Sequence, residues 1–276
     1  MMRQGAMRRI GARFADLGAR GAKGFIPFVT AGYPTLAATG ELVRELARRG
    51  ADVIELGVPF SDPVADGPTI QRSSEEALAG GTTLAAILGL VGELRPEVAT
   101  PLVLMTYCNP VYRYGWERFF RDAARAGVDG LIFADLPFEE SEESRCLAAA
   151  VDLDLISLFA PTTSSERMAM MAGEARGFVY CVSLTGVTGA RGSLPPQLAE
   201  LLGRARAATG LPLAVGFGVS SPQQAGEVVA AGADAVIVGS AIVNILRENA
   251  ACGPEEAVAK VGEFATAMLA GLGRKG

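Results

Sequence analysis

The most restrictive feature of this 276-residue chain is a regular alternation of short apolar runs with amphipathic helical segments. Runs such as residues 131–134 (LIFA) and 235–238 (AVIV) are almost continuously apolar, which is typical of parallel strands covered on both faces. The predicted strands are residues 24–30, about 52–57, 101–106, 129–134, 154–159, 177–183, 211–217 and 235–239. Eight strand–helix units predict an α/β fold, a closed (β/α)8 TIM barrel rather than an open doubly wound sheet.

Two further helices are expected outside this repeat. Residues 8–20 are predicted to form an extra N-terminal helix with Ile10, Phe14 and Leu17 on one face. A short extra helix is predicted after the eighth strand, beginning near Gly239 and Ser240. A barrel of about 250 residues uses nearly the whole chain. We therefore expect residues 1–276 to form a single (β/α)8 domain, with residues 1–6 as a disordered extension.

Charge and composition argue against several classes of function. The net charge is −5, and the only lysines are Lys23, Lys260 and Lys275, which disfavours a nucleic-acid or anionic-membrane surface. No apolar run approaches the ~20 residues of a membrane span. The four cysteines are scattered singly, without the spacing of a metal site or redox motif, and are expected to be reduced thiols in a cytoplasmic protein.

The chain contains no histidine, which excludes His-based triads and imidazole general bases. No lysine lies at the carboxyl end of a predicted strand, which disfavours Schiff-base chemistry. No clustering of residues suited to zinc is visible. Carboxylates, tyrosines and backbone amides remain as the chemical groups available to a site.

Two carboxylates in contrasting surroundings are the leading candidates for catalysis. Glu55 lies in the apolar second strand, where a charge is costly unless it is paired or protonated, and Asp66 lies in the Pro- and Gly-rich loop that follows. In a barrel both belong to the catalytic face at the carboxyl ends of the strands. The alternatives are that an arginine satisfies Glu55 in the core and that Asp66 only bonds its own turn.

Glycine-bearing loops follow the last three predicted strands, at residues 185–189, 216–218 and 239–243. Their joint placement predicts a phosphate site built from backbone amides, a helix N-terminus and Ser240, with Arg191 nearby, although each loop alone is also compatible with an ordinary turn. Residues 59–63 and 108–112 are predicted to form partly apolar loops, which are lids, ordinary loops or a docking surface for a partner protein.

Residues 55–71 (ELGVPFSDPVADGPTIQ) resemble the signature of the tryptophan synthase alpha subunit family. The resemblance continues in order through residues 25–32, 134–137, 185–189, 216–218 and 239–243, and so covers nearly the whole chain. It implies a lyase that cleaves indole-3-glycerol phosphate to indole and glyceraldehyde 3-phosphate. An indole ring protonated at C3 is its own electron sink, so this retro-aldol reaction needs neither a lysine imine nor a metal.

The resemblance also implies roles for individual residues. Glu55 would be the general acid and base, Asp66 would stabilise the indole N–H, and Tyr180 matches the active-site tyrosine. Thr188 matches a loop threonine that contacts the aspartate on closure, and Leu184 departs from the polar residue that some members carry before that loop. The phosphate-binding positions are Gly189, Gly218, Gly239 and Ser240. The indole pocket is Phe28, Tyr107, Leu158 and Phe217. For Phe28 and Phe217 plain core packing is an equal alternative.

The family's partner is a beta subunit, a pyridoxal-phosphate enzyme that receives indole through a tunnel in an alpha2-beta2 heterotetramer. By resemblance, Pro59, Asp62, Asn109 and Asp135 match or adjoin positions that face it, and no cofactor or metal is expected in this chain itself. The alternatives are a stand-alone lyase that releases free indole, a different sugar-phosphate barrel such as an isomerase, and a catalytically weak allosteric partner. The intact Glu55, Asp66 and Tyr180 argue against the last.

Overall fold

The computed structural model describes residues 8–182, 196–216 and 218–274. The extension predicted for residues 1–6 lies outside them. The strands are β1 Gly24–Thr30, β2 Ile54–Gly57, β3 Leu102–Thr106, β4 Gly130–Phe133, β5 Asp154–Leu155, β6 Ser157–Phe159, β7 Val179–Val182, β8 Leu213–Gly216 and β9 Ala235–Val238. All pair in parallel, in the order β5-β4-β3-β2-β1-β9-β8-β7-β6.

The first and last strands of this order, β5 and β6, are consecutive in the chain, so the sheet is closed. The fifth predicted strand, 154–159, is divided at Ile156 into β5, which pairs with β4, and β6, which pairs with β7. The Ile156 N–H still donates to the Leu131 carbonyl at 2.9 Å. Nine assigned segments therefore form an eight-stranded barrel, and the predicted (β/α)8 TIM barrel is confirmed.

Helices surround the barrel and connect its strands. The helices are α1 Arg9–Ala19, α2 Leu36–Arg49, α3 Pro68–Ala79, α4 Leu84–Leu94, α5 Cys108–Tyr114, α6 Trp116–Ala126, α7 Glu142–Ala150, α8 Ser165–Glu174, α9 Pro196–Ala208, α10 Pro222–Ala230, α11 Ser240–Glu248 and α12 Pro254–Gly271. Short 3-10 turns add Phe138–Glu140 and Ala250–Cys252. The extra N-terminal helix is α1, and the extra helix after the last strand is α11.

Local sequence explains where several helices begin and end. The hydroxyls of Thr35 and Ser221 accept the N–H groups of residues three positions later, and Pro222 occupies the first turn of α10. Gly50 and Gly127 end α2 and α6 in the left-handed conformation, which a side chain would disfavour. The prediction of an irregular loop at 108–112 is wrong, because α5 begins at Cys108, whose N–H is bound by Asp135.

The N-terminal helix α1 closes the end of the barrel at which the strands begin. Its apolar face, with Ile10, Phe14 and Leu17, is buried. Arginines in and next to α1 bind aspartates at or just before the starts of strands, in the pairs Arg8–Asp154 (2.7 Å), Arg9–Asp129 (2.6 Å) and Arg13–Asp52 (2.6 Å). The helix is therefore held by both packing and ion pairs, which leaves the opposite end of the barrel for a site.

Among the described residues, no single helix has the length and apolar character to span a membrane. By those two criteria alone the pair α3 and α4 would qualify together, with a bend of 94° between them.

Replacement of Asp52 by alanine is expected to destabilise the fold. The Asp52 side chain is fully buried, pairs with Arg13 and Arg274, and accepts the Phe25 N–H at 2.7 Å. Its loss leaves the buried Phe25 N–H without this acceptor and removes the ion pairs of Asp52 with Arg13 and Arg274, so the free energy of unfolding should fall by about 3 kcal/mol. Urea unfolding followed by circular dichroism measures the change.

The matched control is Asp16→Ala, which also removes an aspartate paired with Arg13 but one whose side chain is half exposed. Its free energy of unfolding should change by less than about 1 kcal/mol. Equal effects of the two substitutions would contradict the assigned role of Asp52.

Candidate active site

Glu55 projects into the barrel from β2. Its neighbours in register are Phe28 on β1 and Val103 on β3, and its side chain is 1% exposed. Within the described part of the chain, neither carboxyl oxygen has a hydrogen-bond partner, so the reading in which an arginine satisfies it is wrong. Burial, and secondly the charge of Asp66, raise the pKa of Glu55 to about 8. Glu55 is therefore a neutral acid at neutral pH.

Asp66 lies between β2 and α3, in a loop that hydrogen bonds to the Asp66 backbone hold in place. The Asp66 N–H donates to the Pro63 carbonyl at 2.9 Å, and Gln71 Nε2 donates to the Asp66 carbonyl at 2.9 Å. The side chain is not used in that turn; its Oδ2 accepts the Tyr107 hydroxyl at 3.0 Å. Burial raises the pKa of Asp66 to about 6, against the opposing effect of the Tyr107 hydrogen bond. Asp66 is therefore mostly ionised at neutral pH.

Tyr180 brings a third polar group to the pair. It lies on β7 and is buried, and its pKa is raised above the ordinary value by burial and then by the charges of Glu55 and Asp66. A Cβ added at Gly216 on β8 would lie 2.2 Å from the Tyr180 hydroxyl oxygen. Glycine at 216 is therefore what allows the ring to lie across β8.

The Phe28 ring occupies space left by two glycines. A Cβ at Gly57 would lie 2.3 Å from Phe28 Cζ, and one at Gly239 would lie 3.1 Å from Phe28 Cδ1. Leu158 on β6 is half-buried and is the register partner of Tyr180. These side chains give the site an apolar wall beside the carboxylates. Phe217, Thr188 and Gly189 lie outside the described residues, as do Leu184 and Arg191.

The predicted phosphate positions that the structure describes lie after two paired strands. Gly239 is the N-cap of α11, and Ser240 is its exposed first residue, directly after β9. Gly218 is exposed, has a φ of +91°, and follows the adjacent strand β8. The first N–H groups of a helix have no partner within the helix and carry its positive dipole end. This arrangement suits an anion.

The four residues predicted to face a partner differ in exposure. Asp62, Asn109 and Asp135 are exposed, whereas Pro59 is buried in the chain itself. Tyr112, at the end of the predicted docking segment 108–112, is 71% exposed. Val64 is 84% exposed and was missed, although it directly follows the predicted segment 59–63 and its apolar character in a loop was the available signal.

A closed parallel barrel with a buried acid that has no hydrogen-bond partner among the described residues, and a second carboxylate in the loop after the same strand, defines a (β/α)8-barrel enzyme of the acid–base type. A family model described as "Tryptophan synthase alpha chain" matches residues 14–272. The tryptophan synthase alpha chain of Geobacter sp. (strain M21) is 53% identical over 266 residues, which cover 96% of this chain and 98% of the relative.

Solved structures agree with the sequence matches. Tryptophan synthase subunit alpha from Legionella pneumophila str. Paris is similar with a TM-score of 0.88 and 39% identity, over 97% of this chain and 99% of that one. A chain of Mycobacterium tuberculosis tryptophan synthase gives a TM-score of 0.87 and 38% identity, over 97% and 99%.

The chain belongs to the tryptophan synthase alpha chain family. It is a lyase that cleaves indole-3-glycerol phosphate to indole and glyceraldehyde 3-phosphate, and membership of the family implies a beta-subunit partner.

Glu55→Gln is expected to remove a pH dependence of stability. The pKa of Glu55 is raised from 4.5 to about 8 in the folded state, so between these values the unfolded chain has lost a proton that the folded chain keeps. Stability from this group therefore falls as the pH rises, at roughly 1.4 kcal/mol per pH unit. Urea unfolding near pH 5 and pH 8 should show the variant gaining stability relative to the wild type by several kcal/mol.

Glu75→Gln is the control, since Glu75 is exposed on α3. This variant should follow the wild-type stability at both pH values. A constant offset between Glu55→Gln and the wild type at all pH values would show that Glu55 titrates normally.

Proposed function

We propose that Glu55 is the general acid and base of the retro-aldol cleavage and that Asp66, as a carboxylate, stabilises the indole N–H. The observation that supports this most strongly is the contrast between the two acids. Glu55 is buried without a hydrogen-bond partner among the described residues and has a pKa of about 8, whereas Asp66 has a pKa of about 6. Between these values one acid holds a proton while the other is charged.

In the proposed reaction, the protonated Glu55 first donates its proton to C3 of the indole ring. The bond between C3 and the neighbouring glycerol carbon then breaks, and its electron pair moves into the ring to neutralise the iminium nitrogen. The Glu55 carboxylate takes the proton from the hydroxyl group on that glycerol carbon, whose oxygen becomes the aldehyde oxygen. Glu55 thus ends the cycle protonated, as it began.

Asp66 has the charge that this sequence of steps requires. Positive charge develops on the indole nitrogen after C3 is protonated, and a fixed carboxylate close to it lowers the energy of that state. We propose that Tyr180 lines the reacting centre, because its buried hydroxyl senses the charges of both Glu55 and Asp66. Phe28, Tyr107, Leu158 and Phe217 are proposed as the apolar pocket for the ring.

The phosphate of the substrate is proposed to bind at the start of α11. Gly239 and Ser240 present helix N–H groups, and Gly218 follows the neighbouring strand. Gly189 is proposed as a further phosphate contact, and Thr188 as the residue that reaches Asp66 when its loop closes, both on the strength of the family resemblance. The start of α11 follows β9 and Asp66 follows β2, and both strands pair with β1, so we propose that the substrate spans the short distance between these two loops.

The beta subunit is proposed to dock on the loops that carry Asp62, Asn109 and Asp135, next to the buried Pro59. Exposed Val64 and Tyr112 support this surface, because large apolar side chains in loops are favourable once they are covered. We propose an alpha2-beta2 heterotetramer in the cytoplasm, in which the beta subunit holds the pyridoxal phosphate and this chain holds no cofactor or metal. Sedimentation of the mixed subunits and indole release with and without the beta subunit test this; unchanged sedimentation and rate would favour a stand-alone lyase.

Glu55→Gln and Asp66→Asn are each expected to fold and to lose activity. Glutamine cannot transfer a proton, and asparagine cannot balance the charge on the indole nitrogen, so indole release should fall by about 10²-fold or more in each variant. The assay is release of indole from indole-3-glycerol phosphate, with circular dichroism to verify folding. Glu75→Gln on the exposed face of α3 is the control and should retain the wild-type rate. Near wild-type release from a variant would refute the role of that residue.

A further inference from the structure

Tyr107 makes a double contact with the loop that carries Asp66. Its hydroxyl donates to Asp66 Oδ2 at 3.0 Å and accepts the Ala65 N–H at 3.1 Å. The side chain is only 3% exposed, and it stands immediately after β3, at the N-cap of α5. Two consecutive residues of the Asp66 loop are thus tied to one hydroxyl group, which determines where the carboxylate lies.

Tyr107 is itself held from two sides. The ring of Phe60 lies against it, with 5.2 Å between ring centroids. The next residue, Cys108, donates its N–H to Asp135 Oδ1 at 2.8 Å, from the loop after β4. Burial and then a hydrogen bond to Asp135 raise the pKa of the Cys108 thiol to about 12, so the thiol stays protonated beside that carboxylate.

We propose that Tyr107 is a positioning residue for the cleavage reaction, whose hydroxyl orients Asp66 and favours its charged form, and that Asp135 keeps Tyr107 in place by binding the N–H of Cys108. The proposal deepens the proposed function and rests on the role given there to Asp66. It assigns to the Tyr107 hydroxyl a task beyond the apolar wall that its ring provides.

The charge balance around Asp66 explains why such a donor is needed. Glu55 from β2 and Tyr180 from β7 face the same region, and neither brings a positive charge. Burial raises the pKa of Asp66, and the hydrogen bond from Tyr107 is what lowers it. Burial and the charge of Asp66 also raise the pKa of Tyr107 above its ordinary value, so the phenol remains a donor. With Oδ2 occupied, Oδ1 is left for the indole N–H.

The hydrogen bond from the Cys108 N–H to Asp135 links Tyr107 to the protein surface. Asp135 is exposed, and so is Asn109 in the first turn of α5. The same surface is the one proposed above for the beta subunit. A partner that displaces or fixes Asp135 therefore acts on Cys108, on Tyr107 and finally on Asp66, through contacts between neighbouring residues.

Tyr107→Phe tests the first contact, because it keeps the ring and removes only the hydroxyl. Without its donor, the Asp66 carboxylate should titrate at higher pH. The acidic limb of kcat/KM for indole release should therefore move upward by about one pH unit. The loss of activity should accordingly be larger below neutral pH than near pH 8. The assay uses the full-length free subunit and indole-3-glycerol phosphate.

Tyr114→Phe is the matched control. Tyr114 also donates to an aspartate at 3.0 Å, Asp122 on α6, and neither residue is among the groups that shift the pKa of Glu55 or Asp66. Its pH profile should coincide with the wild-type profile. An unshifted acidic limb in Tyr107→Phe overturns the inference even if Asp66→Asn is inactive. Full activity of Asp66→Asn instead refutes the proposed function itself, so the two failures are distinguishable.

Substitutions at Asp135 test the second contact. Asparagine retains an oxygen that accepts the Cys108 N–H, whereas alanine does not. Asp135→Ala in the free subunit should shift the acidic limb in the same direction as Tyr107→Phe, Asp135→Asn should not, and the double variant with Tyr107→Phe should shift no further than Tyr107→Phe alone. If Asp135→Ala changes only the affinity for the beta subunit and leaves the pH profile unchanged, the role assigned to Asp135 in holding Tyr107 is refuted.

Discussion

The structure depends on one costly arrangement, a carboxyl group buried in the barrel with no hydrogen-bond partner among the described residues. Ionising Glu55 in this surrounding costs several kcal/mol, roughly 1.4 kcal/mol for each pH unit by which its pKa is raised, so the group keeps its proton to about pH 8. The barrel tolerates it because the ladder of parallel strands around β2 is complete and α1 closes the opposite end. The strand pairing and the packing of α1 thus stabilise the fold enough to accommodate a destabilising group at the other end of the barrel.

The second carboxylate is useful because its surroundings differ from those of the first. Asp66 is placed by a loop rather than a strand and accepts a hydrogen bond from Tyr107. Its pKa of about 6 lies about two pH units below the pKa of about 8 of Glu55. Because the surroundings differ, one site holds both a protonated acid and a carboxylate. The charge of Asp66 also raises the pKa of Glu55, so the ionised aspartate helps to keep the glutamate protonated.

Much of this was predictable from local sequence, and the exceptions have a common cause. Continuous apolar runs gave the strands, and an acid inside one of them pointed to Glu55. The break at Ile156 was not predictable, because it arises from strand pairing rather than from local sequence: β5 pairs with β4, whereas β6 pairs with β7. Helix α5 and the hydroxyl contact of Tyr107 were likewise missed. They depend on Asp135 and Asp66, which lie 27 and 41 residues from their partners in the sequence.

The protonation state of Glu55 is the central claim, and it can be measured directly. Infrared difference spectra between the wild type and Glu55→Gln, recorded across a pH series, isolate the carboxyl band of this one residue. We predict that the protonated band persists at neutral pH and disappears with a midpoint at about 8. A midpoint near 4.5, the ordinary value for glutamate, would contradict the account, because Glu55 would then have no proton to donate at neutral pH.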